Sequence, residues 1–199
     1  MSASSTQLIL TGVGSRETPE DMLTLLRNLG EGFARAGYTL RSGGADGADL
    51  AFEQGARRVA GAKLEIYLPW KGFNDHSSTL YEIDAAAFAM AETVHPKWSI
   101  LSPKMRKFHA RNCYQVLGRT LDKPSSLLIA WTSDGCESQR FRSKATGGTA
   151  TAIVLAERHE VPLFNLARSE SRARLADLLI KIKVPVPEGL ASHHQDSLF

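Results

Sequence analysis

Five short apolar segments alternate with helix-patterned segments along this chain, and three of the junctions between them are rich in glycine. The first segment, residues 7–13 (QLILTGV), reaches a glycine as a buried strand does where it enters a turn. Met22, Leu25, Leu26, Leu29, Phe33 and Ala36 then recur at helical spacing up to Gly37, a stop signal. Thr18 or Glu17 is expected to cap this helix, with Pro19 in its first turn. The pattern repeats with a strand at 38–41, the turn SGGADGAD and a helix at 48–59, followed by a third strand at 63–68. Helices are further expected at 104–117, 149–160 and 169–182, and strands at 126–131 and 161–165. Strand and helix in alternation, with strands too apolar to face water on either side, predict an α/β fold. Its doubly wound, mostly parallel, Rossmann-like sheet has about five strands. Residues 70–103 break the pattern and are expected to be an insertion that carries a short helix or acts as a lid.

The domain organisation expected is one nucleotide-binding domain over residues 1–183 and a flexible tail over 184–199. A length of 199 residues suits one substantial core, and 43% hydrophobic with 23% charged residues excludes a disordered or collagen-like chain. The start MSASSTQLIL lacks a basic and then apolar leader, and no apolar run is long enough to span a membrane, so a cytoplasmic protein without membrane contact is expected. Cys113 and Cys136 form neither a CxxC pair nor a disulfide framework and read as reduced thiols. His109 and Cys113 stand four apart, but no further ligand accompanies them and no metal is expected.

In a doubly wound sheet the turns after the strands open on one edge, where ligands sit. Turn one, Gly12-Val13-Gly14-Ser15-Arg16, lets a phosphate approach the backbone, and Arg16 adds a charge-assisted contact. It departs from the dinucleotide fingerprint GxGxxG, since Glu17 takes the third glycine's place. Turn two, Ser42-Gly43-Gly44-Ala45-Asp46-Gly47-Ala48-Asp49, removes bulky side chains and makes room; one aspartate is expected to cap the helix, the other either to cap or to meet a ribose or an amine. Turn three, Gly147-Gly148-Thr149, places small residues and a hydroxyl at a helix start. Trp70, after the third strand, either touches a base or sugar or packs in the core.

TGVGSR, SGGADGAD, YLPW, HARNCYQVLG and GGTATAI, in this order over residues 8–166, resemble the DprA/Smf-like and LOG-like Rossmann superfamily, also called SLOG. This chain is similar to a short, single-domain DprA-like member. The resemblance implies binding of nucleotides, ADP-ribose-like signals or single-stranded DNA, with contacts from all three turns and from Arg111 and Asn112. One branch hydrolyses nucleotide N-glycosidic bonds with a glutamate three residues after the threonine of a GGxGT motif. Here that position is Ala152, which counts against that mechanism unless Asp46, Asp49 or Glu82 supplies the carboxylate.

The net charge of +3 conceals segregation. Residues 93–121 carry Lys97, Lys104, Arg106, Lys107, Arg111 and Arg119, residues 138–156 carry Arg140, Arg142 and Lys144, and neither window holds an acid. The remainder is net negative. A local positive surface for phosphates is expected, for one nucleotide first and single-stranded DNA second, alternatively with N-glycosidase activity. Oligomeric state stays open, a homo-oligomer included.

Overall fold

A computed structural model describes residues 7–190. The apolar segments form strands β1 (Ile9–Gly14), β2 (Thr39–Ser42), β3 (Lys63–Ile66), β4 (Leu127–Trp131) and β5 (Leu163–Asn165). All pair in parallel, in the order β3-β2-β1-β4-β5. The connections are helices α1 (Glu20–Arg35), α2 (Ala48–Arg57), α3 (Ala85–Val94), α4 (Pro103–Leu117) and α5 (Ala150–Arg158), and α6 (Ser169–Lys181) follows β5. The fold class is therefore the doubly wound α/β architecture.

Alternation along the strands builds two cores. Leu10, Leu40 and Ile129 face α1, α2 and α6 on one side of the sheet. Val13, Leu128 and Ala130 face α3, α4 and α5 on the other. Successive strand residues point to opposite faces, so an all-apolar strand serves both layers. On the first face, α1 and α2 cross closely through glycines. A Cβ at Gly30 would stand 2.3 Å from the Phe52 carbonyl oxygen, and one at Gly55 1.8 Å from that of Arg27.

Residues 70–103 contribute α3, whose buried Ala87 and Ala91 pack against Ala110 and Cys113 of α4. α4 itself starts sharply: Ser102 Oγ accepts a hydrogen bond from Met105 N at 3.3 Å, and Pro103 occupies the first position.

Three local expectations change. Neither Thr18 nor Glu17 caps α1, because Thr18 Oγ1 instead donates to the Ser15 carbonyl at 2.7 Å and Pro19 precedes the helix. Neither Asp46 nor Asp49 caps α2; Gly47 precedes it without a side-chain cap, and Asp49 lies within the first turn. The globular part also continues past Lys183, since Val184 and Leu190 are buried in the core against α1. Residues 191–199 of the expected tail lie outside the described residues. No described helix is long and apolar enough to cross a membrane.

The glycine contact between α1 and α2 is testable. Gly55→Ala should lower stability by about 2 kcal/mol, because the methyl group must push the helices apart. Urea denaturation followed by circular dichroism measures this, and wild-type stability of the variant would refute the contact's importance.

Candidate functional site

β1 and β4 are neighbours in the sheet, yet the chain leaves them for helices on opposite faces, α1 after β1 and α5 after β4. Diverging connections open a crevice at the carboxyl ends of such strands. Here it is a cleft of about 540 Å³. Gly14, Ser15, Arg16 and Glu17 line it from the β1 turn, Lys144 through Thr149 from the segment before α5, and Ala152 from α5 itself. The third wall is one face of α4, where Met105, Phe108, Asn112 and Gln115 recur at helical spacing, with Arg111 beside them. α4 is tied to β1 below the cleft by Thr11 Oγ1, which donates to the Gln115 carbonyl at 2.6 Å.

Arg111 and Asp49 meet in the interior, Nη1 to Oδ2 at 3.6 Å, with both side chains almost wholly buried. Arg111 Nη1 also donates to the Tyr67 carbonyl at 3.3 Å, while its buried Nε has no partner among the described residues. Asp49 accepts hydrogen bonds from Gly14 N at 3.2 Å and Gln115 Nε2 at 3.4 Å. Burial raises the Asp49 carboxyl to about 6, an effect that Arg111 and these donors offset only in part. Burial likewise lowers Arg111 from its ordinary value, against the pull of Asp49.

The second glycine turn does something other than expected. A Cβ on Gly43 would lie 1.2 Å from Arg111 Nη1. At Gly47, where φ is +76°, it would strike the Ser15 carbonyl oxygen at 2.5 Å. The room left by this turn is filled by the protein's own arginine and by the β1 turn. Ser42 Oγ donates to the Gly12 carbonyl at 2.7 Å, Gly44 packs on Leu68, and Asp46 is exposed away from the cleft. Of this turn only Ala45 and Asp49 reach the cleft. Gly12 is set back as well, against the Phe52 ring. Glu82 is exposed and outside the cleft, so Asp49 and Glu17 are its carboxylates.

The third turn fits its expectation more closely. Nothing lies within 4 Å of a Cβ built on Gly147 or Gly148, so both present bare backbone to open space. Asn112 Nδ2 donates to the Gly148 carbonyl at 2.8 Å and fixes the turn to α4. Asp134 fixes its other end, accepting from Thr132 Oγ1 at 2.8 Å, Ser143 Oγ at 2.6 Å and Thr146 Oγ1. Burial works against the Asp134 charge, but these donors outweigh it and hold the carboxyl below its ordinary value. The sequence signal for this anchor is the TSDG turn after β4, which the glycine pattern overshadowed.

Three of the nine window cations are engaged by the protein itself. Arg142 donates to the Val94 carbonyl at 2.7 Å, Arg106 to that of Ser99 at 2.9 Å, and Arg119 binds Asp84 and Tyr114. Only Arg111 and Lys144 of the nine line the cleft, joined by Arg16, whose guanidinium lies 5.7 Å from the Phe108 ring centroid. Trp70 packs edge-on against Phe73 and Phe108 and does not line it. The aromatic wall of the cleft is Phe108 instead. His109 Nδ1 shares a 2.7 Å hydrogen bond with Thr151 Oγ1, and Cys113 Sγ lies near the carbonyls of Ala87 and His109.

No family model and no curated protein matches this sequence. Two solved structures of the molybdenum cofactor carrier protein of Chlamydomonas reinhardtii are similar to it, each at 19% identity over 88% of this chain. The alignments cover 86% and 87% of those chains, with TM-scores of 0.48 and 0.49.

The buried groups predict opposing pH effects on stability. Asp49 is raised from 3.8 to about 6, so the folded state holds a proton that the unfolded state releases, and stability falls as pH rises from about 4 to 6. His109 is lowered from 6.5 to about 4, chiefly by burial and then by His95 and Arg111, so stability rises over the same interval. Asp49→Asn removes the falling contribution. Its urea midpoint should therefore climb more steeply between pH 4 and 6 than that of the wild type; identical slopes would refute the Asp49 shift.

Proposed function

We propose that the protein binds a phosphate-bearing small molecule, a nucleotide or nucleotide-derived compound, in the cleft between β1 and β4. The observation that carries this reading is the convergence of Arg16, Arg111, Lys144 and the open Gly147-Gly148 turn at the start of α5 on one crevice. A helix start supplies unpaired N–H groups and the positive end of its dipole, and guanidinium groups add charge-assisted hydrogen bonds. The unpartnered Arg111 Nε is a donor that the protein itself leaves unsatisfied. Phe108 and Met105 offer an apolar wall for a base beside these phosphate contacts. The resemblance to DprA-like members of the SLOG superfamily supports this use of the first and third turns and of Arg111.

Single-stranded DNA is the second candidate, and the engagement of Arg106, Arg119 and Arg142 by the protein, with only Arg111 and Lys144 of the windows at the cleft, weighs against it. Cations committed to carbonyls and carboxylates of the protein form no continuous track for a backbone. Hydrolysis of an N-glycosidic bond is favoured by one observation, the raised Asp49 carboxyl in the cleft, since a group titrating near 6 suits general acid–base work. Against it stand the Arg111 contact, which occupies that carboxyl, and buried Ala152 at the position of the glutamate in the hydrolytic branch.

Calorimetric titration with a panel of nucleotides tests the binding reading. Arg16→Ala and Lys144→Ala should each weaken the best ligand about tenfold, the loss of one charge-assisted contact. Gly148→Asp, which adds a carboxylate where the fold has space, should abolish binding while leaving the thermal midpoint unchanged. Unaltered affinity in all three variants would overturn the assignment. A steep dependence on salt with length-dependent binding of oligonucleotides would favour DNA, and release of free base lost in Asp49→Asn would favour the hydrolase.

A further inference from the structure

A second pocket, of about 230 Å³, lies on the far side of the Phe108 wall. Trp70, Tyr81 and Phe88 line it together with Ile83, and Lys71 and Lys107 stand among them with no carboxylate in the lining. Trp70 connects the two cavities. Its ring meets Phe108 edge-on at 5.2 Å between centroids, and Phe108 in turn faces the main cleft. Lys104 Nζ stands 5.4 Å from the Trp70 centroid, adding a third cation at this side. Lys104 and Lys107 both extend from α4 to the Trp70 side of the Met105 and Phe108 stripe, so the first two turns of the helix form a ridge with the main cleft on one flank and the lysine-rimmed pocket on the other.

Planar rings bind in aromatic pockets by stacking, and lysines without facing carboxylates select an anionic or phosphate-bearing partner. We propose that this pocket takes the second ring system of a dinucleotide-type ligand, two nucleoside-like halves joined through phosphates. The phosphates sit in the main cleft, and one ring lies on either side of the Phe108 ridge. The inference rests on the phosphate reading of the main cleft and adds the chemical class of its ligand. Two cavities separated by the edge-packed Trp70 and Phe108 rings fit a molecule with two rings and a short charged bridge. A polynucleotide would need a track of cations continuing beyond them, and Arg106, Arg119 and Arg142 are engaged by the protein.

Calorimetry with nucleoside 5′-diphosphates of the four bases and the matching dinucleoside diphosphates tests this, because both series carry the same bridge and differ by one nucleoside. The wild-type protein should bind its preferred dinucleoside diphosphate at least tenfold more tightly than the corresponding nucleoside diphosphate. Lys107→Glu and, separately, Tyr81→Ala should erase that gain and leave the nucleoside diphosphate affinity as it was, since neither residue lines the main cleft. Equal binding of the two series by the wild type, or a gain that survives both variants, overturns the second subsite and leaves the phosphate cleft standing. Failure of both series to bind overturns the phosphate cleft and the second subsite together. Tighter binding of an oligodeoxythymidylate than of any dinucleoside diphosphate overturns the dinucleotide assignment in favour of a strand.

Discussion

The buried contact between Arg111 and Asp49 holds the carboxyl edge of the sheet together. It joins the middle of α4 on one face of the sheet to the first turn of α2 on the other, past the carboxyl end of β1. Charges taken from water cost more than their attraction returns unless further hydrogen bonds complete them. The Gly14 amide, Gln115 and the Tyr67 carbonyl supply some of these, and Arg111 Nε remains without a partner. Such a contact adds little net stability and much orientation. It fixes where the β1 turn, α2 and α4 stand relative to one another, and so sets the shape of the cleft.

The glycines around it follow from that constraint. Gly43 is small because a guanidinium occupies the volume of its missing side chain, and Gly47 because the β1 turn lies against its backbone. Two glycine-rich turns that look alike as sequence thus have opposite purposes. One is filled from inside the protein, whereas Gly147 and Gly148 face empty space and leave backbone free to meet a ligand. Asn112 and Asp134 clamp the Gly147–Gly148 turn at its two ends, so that its openness is not looseness.

Charge is distributed by the same logic. Two stretches without acids carry nine cations, but the chain folds most of them onto carbonyl groups, carboxylates and aromatic faces. Arg16, Arg111 and Lys144, distant from one another in sequence, are the ones the fold gathers at the crevice. Trp70 shows the converse. Its position after β3 suits a base or sugar contact or core packing, and the fold packs it edge-on against Phe108 outside the main cleft.

The sequence by itself determined the layers and their order. Apolar strands closed by small residues and helices of regular apolar spacing leave few alternatives to a parallel sheet covered on both faces, because periodicity and turn chemistry are local properties. The glycines before α5 also pointed to an anion-binding turn, and the family resemblance, not the residue pattern, implied Arg111 and Asn112 near the pocket. What only the tertiary structure decided was which small residues make room for a ligand and which for the protein, and which cations remain unspent. Neither depends on a residue's neighbours in the chain. Both depend on which group from another element arrives opposite, as the Arg111 side chain does at Gly43 and the Val94 carbonyl at Arg142.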